Sequence, residues 1–131
     1  MGTSYKGGAD YYHNVSENLG NMKDKYSYKN GFFGEKGDSK DSSIRHIYSD
    51  DPSETAKEFY DDLAYGGVEK TLYYKDGSVK GYQTHMADGT IINWRKVSSS
   101  DGSPAVDIDV QYSNEHGDIV TQKIHFVKTE E

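Results

Sequence analysis

The chain has no cysteine and only two prolines, Pro52 and Pro104. Without thiols there is neither a disulfide framework nor a thiolate metal centre, so 131 residues must hold together by burial and hydrogen bonding as one domain. No apolar run is long enough to cross a bilayer, and there is no charged start followed by an apolar centre of the signal-peptide kind. Positive charge is also scarce. The formal net charge is -7, with acidic excess in both halves of the chain. That argues against a long basic groove for nucleic acid, yet leaves room for a few cations around one scissile phosphate. The hydrophobic fraction is only 33%, but 12 tyrosines supply large amphipathic faces.

The organisation changes near residue 44. Residues 1–43 carry Gly7-Gly8, Asn30-Gly31, Gly34, Gly37 and a Lys/Asp/Ser scatter, which reads as a flexible or lightly ordered arm. A short helix around Tyr11 to Leu19 fits that arm, and Phe32-Phe33 are placed to pin it to the body. Residues 44–131 then form the working domain. Asp51 can cap a helix, Pro52 suits its first position and Glu54 its third; Ala56, Phe59, Tyr60 and Leu63 follow at helical spacing until Gly66-Gly67. Strands are predicted at Thr71–Lys75, Ser78–His85, Thr90–Ser98, Ala105–Tyr112 and Ile119–Lys128, separated by Asp-Gly turns and the 115–118 loop. The expectation is an α+β fold: one amphipathic helix packed on an antiparallel sheet of about four to five strands.

The alternation within these strands places the chemistry. Val106, Ile108, Val110 and Tyr112 alternate with Asp107, Asp109 and Gln111; Val120, Ile124 and Phe126 oppose Thr121, Lys123 and His125, with Gln122 as an exception on the apolar side. Ile92 and Trp94 are placed inward, leaving Arg95 on the polar face. A register with Asp107 between Arg95 and His125 then gathers a guanidinium, an ammonium and an imidazole on one sheet face. That set suits phosphodiester cleavage without a metal. An imidazole titrates near neutral pH and can carry protons, while Arg95 and Lys123 can stabilise a charged phosphorane.

Each candidate has a plainer reading beside it. His125 can be a half-exposed strand histidine paired with Asp107, Arg95 a bridge between carboxylates, and Lys123 a solvated lysine. His46 is read as the second proton carrier or as a helix-entry side chain beside Tyr48, with His85 as its substitute. Ser98, Ser99, Ser100 and Ser103 fit turn chemistry around Asp101-Gly102, or a phosphate-oxygen site led by Ser100. Trp94, Ser98 and Tyr82 are candidate RNA contacts, with Tyr73 and Tyr74 as further stacking surfaces; for the aromatics a core role is the alternative. Asp50, Asp51, Asp61 and Asp62 form an acidic patch without recognisable ligand spacing, so no metal and no cofactor is expected.

Several segments together resemble a known family: Arg45-His46-Ile47-Tyr48-Ser49-Asp50-Asp51-Pro52, Thr55-Ala56-Lys57-Glu58-Phe59-Tyr60, Asp88-Gly89-Thr90, the run from Ser98 to Ile108, and Gln122-Lys123-Ile124-His125-Phe126. Over roughly residues 31–128 they are similar to the C-terminal toxin domains of LXG polymorphic toxins of Gram-positive bacteria. The resemblance implies a ribonuclease of the compact fold shared by barnase, EndoU and tRNA-cleaving colicins. It also implies secretion by a type VII system as the C-terminal part of a larger effector, action in the target-cell cytoplasm, and a cognate immunity protein as partner. The domain is expected to be monomeric apart from that complex. The activity expected is transesterification by the ribose 2'-hydroxyl to a 2',3'-cyclic phosphate. The alternatives are a metal-dependent DNase toxin and a non-catalytic protein-interaction module.

Overall fold

The computed structural model describes residues 4–5, 15–37, 40–98, 102–111 and 119–129. In chain order these form β1 (Ser4–Tyr5), α1 (Val15–Met22), β2 (Tyr28–Lys29), β3 (Phe32–Phe33), β4 (Glu35–Lys36), β5 (Ile44–Ser49) and α2 (Pro52–Leu63). Then follow β6 (Val68–Tyr73), β7 (Val79–His85), β8 (Ile91–Arg95), β9 (Ala105–Asp109) and β10 (Gln122–Lys128). The class is α+β, as the pattern of one capped helix and alternating strands predicts.

The helix α2 begins where its sequence signals say. The Asp51 carboxylate accepts from the Glu54 N–H at 3.2 Å, Pro52 occupies the first turn, and Ala56, Phe59, Tyr60 and Leu63 are buried. Tight turns join β6 to β7 and β7 to β8. In the second, Gly89 takes φ +93, a conformation costly to other residues, and the Asp88 side chain accepts from the Thr90 N–H.

The main sheet is wider than four to five strands. Counting the two-residue β1, its order is β1-β6-β7-β8-β9-β10-β5-β4, eight strands. The strands beyond the expected five are β1, β4 and β5. The segment Ile44–Ser49, which the sequence suggests as a helix lead-in over the sheet edge, is itself a strand. It also pairs parallel with β10, from Lys123↔Ile44 to Lys128↔Ser49, so the sheet is mixed rather than wholly antiparallel. Its six residues show no clean alternation of burial, the signal on which strand prediction depends.

Both helices pack on one face. Phe59 of α2 meets Phe33, Phe126 and Tyr26 edge to face, over a core that includes Ile92, Val106, Ile108 and Ile124. Residues 15–37, read from the sequence as part of a lightly ordered arm, also enter this core through Val15, Leu19, Met22 and Phe33. The ribbon of β2 and β3 is held by Gln122, the polar exception on its strand. The Gln122 Oε1 accepts from the Phe33 N–H at 2.9 Å, and its Nε2 donates to the Gly31 carbonyl at 2.9 Å and the Val120 carbonyl at 2.7 Å. The amide thus satisfies the buried Phe33 N–H and adds a second donor to the Gly31 carbonyl, which also accepts from the Val120 N–H at 3.1 Å.

Tyr60 shows the cost of polarity in this core. Its hydroxyl meets Thr84 and donates to the Glu69 carboxylate, and burial drives its pKa far above the ordinary tyrosine value. The unfolded chain ionises near pH 10 while the folded chain keeps its proton, so this residue's stabilising effect is present below about pH 10 and is lost above it. Replacing Gln122 with Ala should strip the buried Phe33 N–H of its partner, leave the Gly31 carbonyl only the Val120 N–H, and lower stability by about 1 to 3 kcal/mol in urea unfolding. Amide exchange at 31–34 should quicken most.

Candidate active site

The face of the sheet opposite the helices carries the polar side chains, and the strand registers arrange them in rows. Gly81, Arg95, Ala105, His125, His46 and Glu35 are successive partners across β7, β8, β9, β10, β5 and β4. The neighbouring row on the same face runs Lys70, Gln83, Asn93, Asp107, Lys123 and Ile44. Partners in such a row share a face because successive side chains alternate along each strand.

His46 and His125 therefore stand side by side on parallel strands. Their ring centroids are 6.1 Å apart and nearly perpendicular, and Tyr48 packs edge-on against His46 at 6.2 Å. The His125 Nδ1 and the Ser103 hydroxyl are hydrogen-bonded at 3.0 Å. Gly37 lies against the other imidazole: a Cβ there would come within 3.0 Å of the His46 Nε2. A cavity of about 580 Å³ opens at the β5 edge, walled by Glu35, His46 and Tyr48 and, from the helix side, by Tyr26, Ile47 and Thr55.

Arg95 lies across Ala105 from His125. Its Nη2 donates to the Asp107 Oδ2 at 2.7 Å, with both side chains largely shielded from water. The expected register is shifted by two residues: Ala105 stands between Arg95 and His125, while Asp107 opposes Asn93 and Lys123. A shift of two keeps the face, so the guanidinium still reaches Asp107 diagonally. Asp107 Oδ1 is buried without a hydrogen-bond partner, directly across from Lys123.

Two expectations are overturned by the packing. His125 is on the predicted side of its strand but is 3% exposed, with the Ser103 hydroxyl 3.0 Å from its Nδ1 and the His46 ring packed beside it. Tyr82 and Trp94 do not share its face. They stack at 5.3 Å on the helix side, with Tyr60 beyond Tyr82 at 6.4 Å, so they cannot stack a base held at His125. Ser98 is buried, its N–H donating to the Ser103 carbonyl at 2.7 Å, so it is not an open contact surface. Ser100 lies outside the described residues. His85 is exposed and bonded to Gln83 two residues away, apart from the histidine pair.

Glu35 and Gly37 were not visible as site residues in the sequence. They belong to or follow a two-residue strand, too short for any periodicity, in a stretch whose composition resembles a linker. Arg45, next to His46, faces the other way. Its Nε and Nη2 donate to the carbonyls of Phe33 and Gly34, and burial lowers its pKa against an opposing pull from Glu35. Among the described residues no three His, Asp or Glu side chains gather in a metal-binding group.

No protein-family model, curated protein or solved structure matches this chain. The likeness to LXG toxin domains rests on the sequence segments that carry it.

Because His125 is buried and His46 only half-buried, the two should separate in stability. His125→Ala should cost about 1 to 3 kcal/mol through the lost Ser103 hydrogen bond and the space left behind, and His46→Ala clearly less, as read by thermal melting. Equal melting of the two variants would mean that His125 is not buried as described.

Proposed function

We propose that this chain is a metal-independent ribonuclease and the toxin domain of an LXG-type effector. The observation that carries the reading is the adjacency of His46 and His125, with Arg95 in the same row and Lys123 in the next.

The chemistry follows from the groups. One histidine takes the proton of the ribose 2'-hydroxyl, the 2'-oxygen forms its bond to phosphorus, and the bond to the 5'-oxygen breaks as the other histidine protonates it. The products are a 2',3'-cyclic phosphate and a free 5'-hydroxyl. Arg95, positioned by Asp107, and Lys123 offset the charge that builds on the non-bridging oxygens. Ser103 fixes the orientation of the His125 ring through Nδ1.

The acidic net charge is compatible with this reading because only a few cations are needed around one scissile phosphate. Glu54, Glu58, Asp61 and Asp62 lie on α2, while Arg95, Lys123 and Lys70 lie on the opposite face of the sheet. That face also carries Asp107, Asp109 and Glu35, so RNA would meet a charge-balanced surface, with modest and salt-sensitive affinity. Export through a type VII system and an immunity protein that covers this face complete the proposal.

Purified protein should cleave RNA in excess EDTA, leave cyclic phosphate ends and spare DNA, which lacks the attacking hydroxyl. His46→Ala, whose fold is expected to persist, should lower cleavage by about 10² to 10⁴. Cleavage that vanishes in chelator, or cuts DNA equally, would point instead to a metal-dependent DNase.

A further inference from the structure

The polar row beside the histidine row has no part in the proton transfers. Along it Lys70, Gln83, Asn93, Asp107 and Lys123 are successive partners across β6 to β10, and none of the described helices covers it. At its centre two amides are locked to one another. The Gln83 Nε2 donates to the Asn93 Oδ1 at 2.8 Å, and the His85 Nε2 lies 2.9 Å from the Gln83 Oε1. With the histidine nitrogen donating, both amide orientations are set, since each oxygen already accepts and each NH2 must point outward.

This leaves mainly donors on the open face: the second Gln83 N–H and both N–H groups of Asn93. Two neighbouring donors of fixed direction are complementary to a base edge bearing two neighbouring acceptors, and guanine presents such an edge at N7 and O6. Adenine offers an acceptor beside a donor there, which would oppose one of the two amide N–H groups. Asn93 and Arg95 are two residues apart on β8, about 7 Å along the strand. A phosphate engaged by Arg95 thus leaves an attached base within reach of Asn93.

From this placement we infer that Gln83 and Asn93 form a base-recognition site selective for guanine, held in register by His85. It rests on the reading of this face as the one that meets RNA. It adds a substrate preference that the catalytic groups do not supply, because imidazole, guanidinium and ammonium read only phosphate and ribose. The rigid pairing matters here: a free amide could rotate to present its oxygen and accept adenine equally well.

The test separates binding from cleavage. Binding of 2'-O-methyl oligonucleotides, which cannot be cleaved, is measured by calorimetry for sequences with one guanine or one adenine in an otherwise uridine background. Cleavage of the matching ribo-oligonucleotides is measured in parallel. The wild-type protein should favour guanine over adenine by about tenfold or more in both assays. Asn93→Asp, which replaces the donors by acceptors at nearly unchanged size, should abolish or reverse that ratio, as should Gln83→Glu. Comparing bases within one variant cancels the general effect of an added negative charge.

Melting curves confirm that each variant is folded. Equal binding of both sequences by the wild-type protein, or an unchanged ratio in folded Asn93→Asp and Gln83→Glu, would overturn the proposal. If guanine-selective, Asn93-dependent binding occurs without any RNA cleavage, the base site stands and the ribonuclease reading falls.

Discussion

Parallel pairing between β5 and β10 joins segments from opposite ends of the folded body, and most of what is distinctive in the molecule depends on it. The chain leaves β5, crosses the sheet as α2, starts again near the far edge with β6, and returns strand by strand until β10 lies beside β5. Only then do His46 and His125 meet. Neither strand carries this arrangement alone, since β5 otherwise has only the two-residue β4 beside it. A contact between segments so far apart in the chain carries a loop-closure entropy cost, which the core beneath it must offset.

That core is unusual in relying on a polar side chain. Gln122 sits among Ile124, Phe126, Ile108 and Phe33, yet has its amide fully engaged with the β2–β3 ribbon and its own strand. A leucine there would pack, but would leave the Phe33 N–H without its partner. The ribbon in turn brings Phe33 onto Phe59 and carries the chain into β4, the strand that places Glu35 opposite His46. One amide thus couples an N-terminal segment of linker-like composition to the row of candidate catalytic groups.

The two faces of the sheet have been given different work. One is covered by helices and aromatic stacking, including the Tyr60–Tyr82–Trp94 series. The other has small residues, Gly81 and Ala105, flanking Arg95 and polar side chains in continuous rows. Gly81 has a strict reason to be glycine: a Cβ there would fall 2.0 Å from the Trp94 carbonyl oxygen of the next strand. The Ser103 hydroxyl on Nδ1 and the neighbouring His46 ring give the buried His125 a fixed orientation that an exposed imidazole would lack.

The amino-acid sequence by itself determined the helix α2, from Asp51 and Pro52 to Leu63, and the facing of β8, β9 and β10. These depend on local signals, a capping pattern and an alternation of side chains, that need no knowledge of neighbours. Ile92 and Trp94 inward, Arg95, Lys123 and His125 outward, all follow from period two. Tertiary structure alone decided which strands are neighbours. Whether His46 stands beside His125, whether Ala105 or Asp107 separates Arg95 from His125, and whether His125 is open or covered are matters of register and loop placement. Tyr82 and Trp94 show the same limit: an aromatic on a strand suits a core and a stacking platform equally, and only the side on which the helices pack distinguishes them. Local patterns set each strand's two faces, but long-range pairing sets its partners, because backbone hydrogen bonds are the same whichever strand supplies them.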